Sequence, residues 1–143
     1  MSKSNALENS FLAILFNATA LANVWDNAAS SPITNLYVSL HTADPGEGGD
    51  QTTNEATYTS YARVAVARTS GGWTVSGNAV TNAASILFPE CTGGSNTITH
   101  FGVGKSSSGA GVLFYSGALT ASLAVSTGIQ PQFAAGDLDI TED

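Results

Sequence analysis

Apolar positions recur at helical spacing near the start of the chain and then switch to alternation with period two. Leu7, Phe11, Leu15, Ala18, Ala22 and Trp25 fall on one stripe, with Ile14 and Leu21 beside it. Asn5 and Glu8 stand in the capping-box arrangement ahead of them. The spacing predicts one helix, or two broken near Asn17-Ala18-Thr19. Two fates are open to the stripe: packing on the rest of the chain, or docking on a partner subunit. Asn27 to Pro32 is a polar connection into the first strand.

The second pattern begins at Leu36. Leu36, Val38 and Leu40 alternate with Tyr37, Ser39 and His41, which predicts a half-buried strand. Asp44-Pro45-Gly46 ends it, since proline and glycine supply turn conformations. No apolar repeat occurs from Glu47 to Ser60, an acidic stretch long enough to be a functional surface. Alternation returns at Tyr61, with Ala62, Val64 and Val66 on one face and Arg63 and Ala65 on the other. Short runs come next: Trp73 to Val75, Ala79-Val80, Ile86 to Phe88, Ile98 to Val103 and Val112 to Tyr115. Leu119 to Val125 is either one bent strand or two. Gln130 to Phe133 and Asp137 to Thr141 complete the series. Roughly eight to ten strands, with turn residues every ~8–12 positions, predict a mainly β fold. The expected architecture is an antiparallel β-sandwich or jelly roll (residues 31–143) with an N-terminal α-helical segment (residues 1–30).

Composition sharpens this picture. The chain has 143 residues, enough for a sizeable core, but only 10 % are charged against 43 % hydrophobic. Soluble domains usually carry about a quarter charged residues. A surface so poor in charge is expected to be covered in part by other protein. The net charge is −7, and Lys3, Arg63, Arg68 and Lys105 are scattered, which argues against direct nucleic-acid binding. No apolar run approaches the ~20 residues of a membrane span. Lys3, the run Phe11 to Phe16 and Ala20-Leu21-Ala22 imitate a secretion signal, but the run is short and Asn17 closes it, so secretion is the weaker reading. A lone cysteine, Cys91, excludes an internal disulfide framework.

The search for chemistry returns no catalytic residue, no cofactor site and no metal site. Ser39 and Asp44 lie near His41 in sequence, but no nucleophile elbow accompanies them. Asp44, Glu47, Asp50 and Glu55 lack the spacing of a calcium loop and read as a solvated acidic loop. Gly102-Val103-Gly104-Lys105 fails as a phosphate loop because Thr99 stands where the first glycine belongs. Glu90 is the sole acid between Glu55 and Asp137, so no carboxylate pair points to glycosidase work. Cys91 reads as a core residue and His100 as a half-buried sheet residue.

The helix before LYVSLHTADPGE, the later YARVAVAR, the runs TITHFGVG and GVLFYSGAL, and the terminal FAAGDLDIT together resemble a family of small bacteriophage virion structural proteins, often labelled phage tail fibre proteins. The resemblance covers nearly the whole chain. It implies a non-enzymatic virion component, assembled in the host cytoplasm. By analogy of fold and size, the first expectation is a capsid decoration (cement) protein bridging subunits of the major capsid protein. The alternative is a tail, fibre or collar part that contacts tail proteins and serves host attachment. Either role implies a symmetric homo-oligomer, with a homotrimer as the leading form. The candidate interface residues are Leu7, Phe11, Leu15 and Trp25 on the helical segment, and Asp44, Glu47 and Tyr58 in the acidic stretch.

Overall fold

The structure is a computed structural model and describes residues 5–20 and 32–142, the side chains of Asn5 and Leu7 excepted. The protein is mainly β, with antiparallel sheets and one N-terminal helix. Its chain divides into two compact units. Unit 1 comprises residues 1–35, 66–86 and 133–143; unit 2 comprises residues 36–65 and 87–132.

Unit 1 holds helix α1 (Asn5–Asn17) and a three-stranded sheet in the order β3-β4-β9, formed by Trp73–Ser76, Ala79–Asn82 and Asp139–Thr141. The helix packs on β3 and β4. Its enclosed side carries Leu12 and Phe16, with Glu8 beside them, while Phe11, Ile14 and Leu15 are half-buried. The expected stripe through Phe11 and Leu15 therefore lies one residue, about 100°, off the enclosed side. Phe16 sets that rotation, because its ring meets Trp73 edge-on with centroids 4.8 Å apart. Ala22 and Trp25 of the same stripe lie outside the described residues.

The helix stops at the break expected near Asn17-Ala18-Thr19. Ala18 adopts φ 53°, and Thr19 N donates to Ala13 O at 3.1 Å, which closes the last turn. Arg68, only 8 % exposed, satisfies the carbonyls left over. Its Nε and Nη2 donate to Leu15 O and Ile14 O at 2.6 Å each, and its Nη1 donates to Ile33 O at 2.7 Å. Asn82 ties the far edge of this unit. Its Nδ2 donates to Ala84 O and Ala134 O, and its Oδ1 accepts from Leu138 N.

Unit 2 is built on β1 (Asn35–His41), β6 (Ser95–Gly104) and β7 (Leu113–Ser126), each antiparallel to the next. The choice left open at Leu119 to Val125 resolves as a single strand of 14 residues, with register shifts between Ile98 and His100 and between Val103 and Gly104. The four-stranded sheet runs β2-β1-β6-β7, so β7 is one edge and β2 (Val64–Ala67) the other. Strand β2 starts three residues later than Tyr61, where alternation resumes, and Ala62 is exposed. Hydrogen bonds from the side chains of Tyr61 and Arg63 to the acidic loop hold the chain out of the ladder there. The chain passes between the units within β1, β2, β5 (Ile86–Leu87) and β8 (Gln132–Phe133), the last two forming a separate two-stranded pair. Among the described residues, no helix is long and apolar enough to cross a membrane.

Candidate functional site

Directly opposed residues of an antiparallel sheet share a face. In unit 2, Ser39 opposes Gly102, which opposes Ser116; His41 opposes His100, which opposes Ala118. One face of this sheet is therefore polar, and the acidic loop folds down on part of it. Gln51 is the anchor. It is fully buried, its Oε1 accepts from Ser106 N at 2.8 Å, and its side chain fills the space where a Cβ on Gly104 would sit. Nothing in the periodicity marks Gln51. The only available hint is that glycines stand at 104 and 111, both pressed against it.

The loop is a built structure. Asp44 Oδ1 accepts from Gly46 N, and Asp50 Oδ1 accepts from both Thr52 Oγ1 at 2.6 Å and Thr52 N at 2.8 Å. Those bonds, the hydroxyl's first, hold the Asp50 carboxyl below its ordinary value. Glu55 grips Arg63 with both oxygens, at 2.6 Å to Nε and 2.7 Å to Nη2. Arg63 spends its other donors on Ser106 O and Gly109 O, joining this loop to the turn before β7. Tyr61 Oη donates to Glu55 Oε1 and accepts from Leu40 N, both at 3.0 Å. Burial pushes its phenol far above the ordinary value.

Beneath the loop, Ser39 Oγ lies 2.8 Å from His41 Nε2, and His41 Nδ1 lies 2.8 Å from Thr53 O. A carbonyl only accepts, so in the neutral ring Nδ1 carries the hydrogen and Ser39 donates to Nε2. The arrangement resembles a hydrolytic triad with a peptide carbonyl in place of the carboxylate. It cannot act as one in this geometry, because Ser39 and His41 are both fully enclosed and no substrate reaches the hydroxyl. A Cβ on Gly102 would come within 2.7 Å of both Ser39 Oγ and His41 Nε2, so only glycine leaves room for the pair. Desolvation lowers the His41 pKa from 6.5, outweighing the Thr53 hydrogen bond that raises it.

Where the loop does not cover the polar face, a groove of about 500 Å³ remains. Asp44, Gly46, Glu47 and Gly49 form one wall; His100 and residues 113–118 of β7 form the floor and the other wall. Asp44 and Glu47 are exposed at its lip, and His100 and Phe114 are half-buried within it; Tyr115 opposes Val103, which opposes Val38, so its ring lies on the other face of the sheet. The groove thus joins two carboxylates, an imidazole, the ring of Phe114 and the hydroxyl of Ser116. That set suits a ligand with hydroxyl or amino groups along one side and an apolar face on the other. Among the described residues, no group of three His, Cys, Asp or Glu side chains is placed to hold a metal ion.

Of the residues singled out from sequence, Asp44 and Glu47 meet at the groove. Tyr58 does not join them. It is 3 % exposed, donates from Oη to Pro89 O at 3.0 Å, and packs edge-on against Tyr61. The expected exposed aromatic is a core residue, because Asn96 Oδ1 accepts from the backbone amides of Thr57 and Tyr58 and draws that segment inward. Burial pushes the Tyr58 phenol up to about 12. Phe11 and Leu15 lie on α1 in unit 1; the Leu7 side chain and Trp25 fall outside the described residues. Sequence reasoning does not single out His100 and Phe114 as groove residues, since period-two alternation marks a strand without telling which face stays open.

Comparison with curated proteins gave no match. Comparison with protein families gave one for residues 2–141, to Gp80, described as podophage GP4 fiber I protein gp80. That match spans nearly all 143 residues, so the chain belongs to the Gp80 fibre protein family, a family of phage virion structural proteins.

Proposed function

We propose that this protein is a non-enzymatic building block of a phage fibre, and that the groove beside Asp44 and Glu47 is its contact surface toward the host. The observation that carries the reading is the family match over residues 2–141. It supports the fibre alternative over head decoration, which rested on analogy of size and fold alone. The groove supports the attachment role: its walls hold convergent polar groups beside the Phe114 ring, on a frame fixed by Gln51 and the Glu55–Arg63 pair. Fibre proteins act in symmetric assemblies, so copies of this chain and neighbouring tail proteins are its partners in this reading.

Two measurements on purified virions test it. Copy number against the major capsid protein should come out at a few dozen or fewer; hundreds of copies would return the protein to the head. Phage carrying Asp44→Asn, Glu47→Gln and His100→Ala should assemble normally and adsorb at least about tenfold more slowly, as expected when a few hot-spot contacts are lost. Unchanged adsorption of intact particles would remove the groove from attachment.

A further inference from the structure

The groove of unit 2 carries two carboxylates and no fixed positive charge. Asp44 and Glu47 stand at its lip, and none of the residues that line it is a lysine or arginine. The nearby Arg63 is committed to Glu55, Ser106 O and Gly109 O. Asp44 Oδ1 accepts from Gly46 N at 2.9 Å, which leaves its second oxygen for a ligand. Ionised carboxylates only accept hydrogen bonds, so this wall calls for donors. The facing strand supplies different chemistry. Phe114 offers a half-buried ring and Ser116 an exposed hydroxyl. His100 offers Nε2, since its Nδ1 lies 2.9 Å from Thr99 Oγ1. Gly46, Gly49, Gly117 and Ala118 add little bulk, so a flat ligand can come close to the backbone.

Building on the attachment role, we propose that the groove binds a saccharide bearing free amino groups, with its ammonium groups at Asp44 and Glu47 and the apolar face of a sugar ring against Phe114. Charge sets the sign of the ligand. On a chain of net charge −7, two carboxylates with no cation in the lining repel phosphates, uronates and other anions and attract ammonium groups. Shape and surface set its class. A sugar ring has an apolar face and a rim of hydroxyl or amino donors, which matches an aromatic ring set opposite an acceptor wall. The groove volume of about 500 Å³ falls in the usual range of small-ligand sites. A protein partner would call for a wider cluster of aromatic and arginine contacts. The groove has the Phe114 ring alone, because Tyr115 stands on the other face of the sheet.

The test is titration calorimetry on the purified full-length chain with short probes of equal length. These are an oligomer of glucosamine, its N-acetylated counterpart, an oligomer of galacturonic acid and an oligomer of lysine. The glucosamine oligomer should bind at least about tenfold more tightly than the acetylated one, the step expected from one charge-assisted contact. The galacturonate should not bind. The lysine oligomer carries the charge without the ring and should bind more weakly than the glucosamine oligomer. Raising ionic strength from about 0.01 M to about 0.15 M should weaken the glucosamine complex by screening. Asp44→Asn with Glu47→Gln should abolish the preference for the free amine, and Phe114→Ala should weaken both sugars, with unchanged circular dichroism spectra. No binding of the glucosamine oligomer, equal binding of its acetylated form, binding of the galacturonate, or tighter binding of the lysine oligomer would each overturn the proposal. Amine-selective binding beside normal adsorption of the substituted phage would keep this ligand class and remove the attachment role. Slowed adsorption with no binding of the glucosamine oligomer would do the reverse.

Discussion

Arg68 shows how a single side chain can close a helix from a distance. Its guanidinium serves Ile14 O, Leu15 O and Ile33 O while the residue is 8 % exposed. A cation at a helix C-terminus also complements the helix dipole. Arg68→Ala should lower stability by about 2–4 kcal/mol in urea denaturation, because buried carbonyls lose charged donors. Arg68→Lys should recover little, since one ammonium cannot reproduce a planar fork with three partners. His41 makes a different prediction. Its folded-state pKa lies below 6.5, so the unfolded chain binds the proton more readily. Stability should be indifferent to this residue above that pH and fall as pH drops below about 6.5, until the folded-state value is passed. Glu55, Arg63 and His100 also act on this ring, the first raising and the others lowering its pKa. Thermal midpoints measured from pH 8 to pH 5 should show that slope in the wild type and a shallower one in His41→Gln. Neither role is legible in the sequence. The partners are backbone carbonyls, which carry no signature, and those of Arg68 lie as far as 54 positions away.

At the scale of elements, patterning reads well and boundaries read less well. Alternation at Leu36 to Leu40 and at Ile98 to Val103 marks the two central strands, and the break after Asn17 is visible in the polar run Asn17-Ala18-Thr19. The face of α1 is displaced by one residue from its expected position because Phe11 and Phe16 are equally apolar; only the position of Trp73 chooses between them. The acidic loop reads as loose because its order comes from side-chain bonds to backbone, at Asp44, Asp50 and Gln51, which have no period. One consequence is testable at the helix end. Ala18 occupies a left-handed conformation that alanine resists and glycine accepts. Ala18→Gly should therefore stabilise the protein by about 0.5–1 kcal/mol, seen as a higher thermal midpoint.

For the whole molecule, the virion role is legible because the runs that carry it cover the chain from end to end, and the family match does the same. The place within the particle is not legible, since it depends on contacts with chains whose sequences are not this one. The two-unit organisation is also hidden, because each unit draws on segments separated by the other. Unit 1 needs residues 133–143: Leu138 and Ile140 are buried in it, and β9 pairs with β4 through Val80 and Ile140. Deleting residues 133–143 should strip hydrogen-exchange protection from β3 and β4 while β1 and β6 remain protected; protection retained in β3 and β4 would show that unit 1 stands without its last strand.

The same interleaving sets a timetable for synthesis. As the chain leaves the ribosome, helix α1 and Trp73 emerge early but lack the strand that finishes their sheet. Unit 2 has all of its residues once position 132 is free, so it can close while unit 1 still waits for Leu138 and Ile140. The apolar side of the helix, Leu12 and Phe16, has no partner until Trp73 and β4 have emerged, and β4 then keeps an open edge until residues 139–141 follow, an interval in which a chaperone would find its binding site.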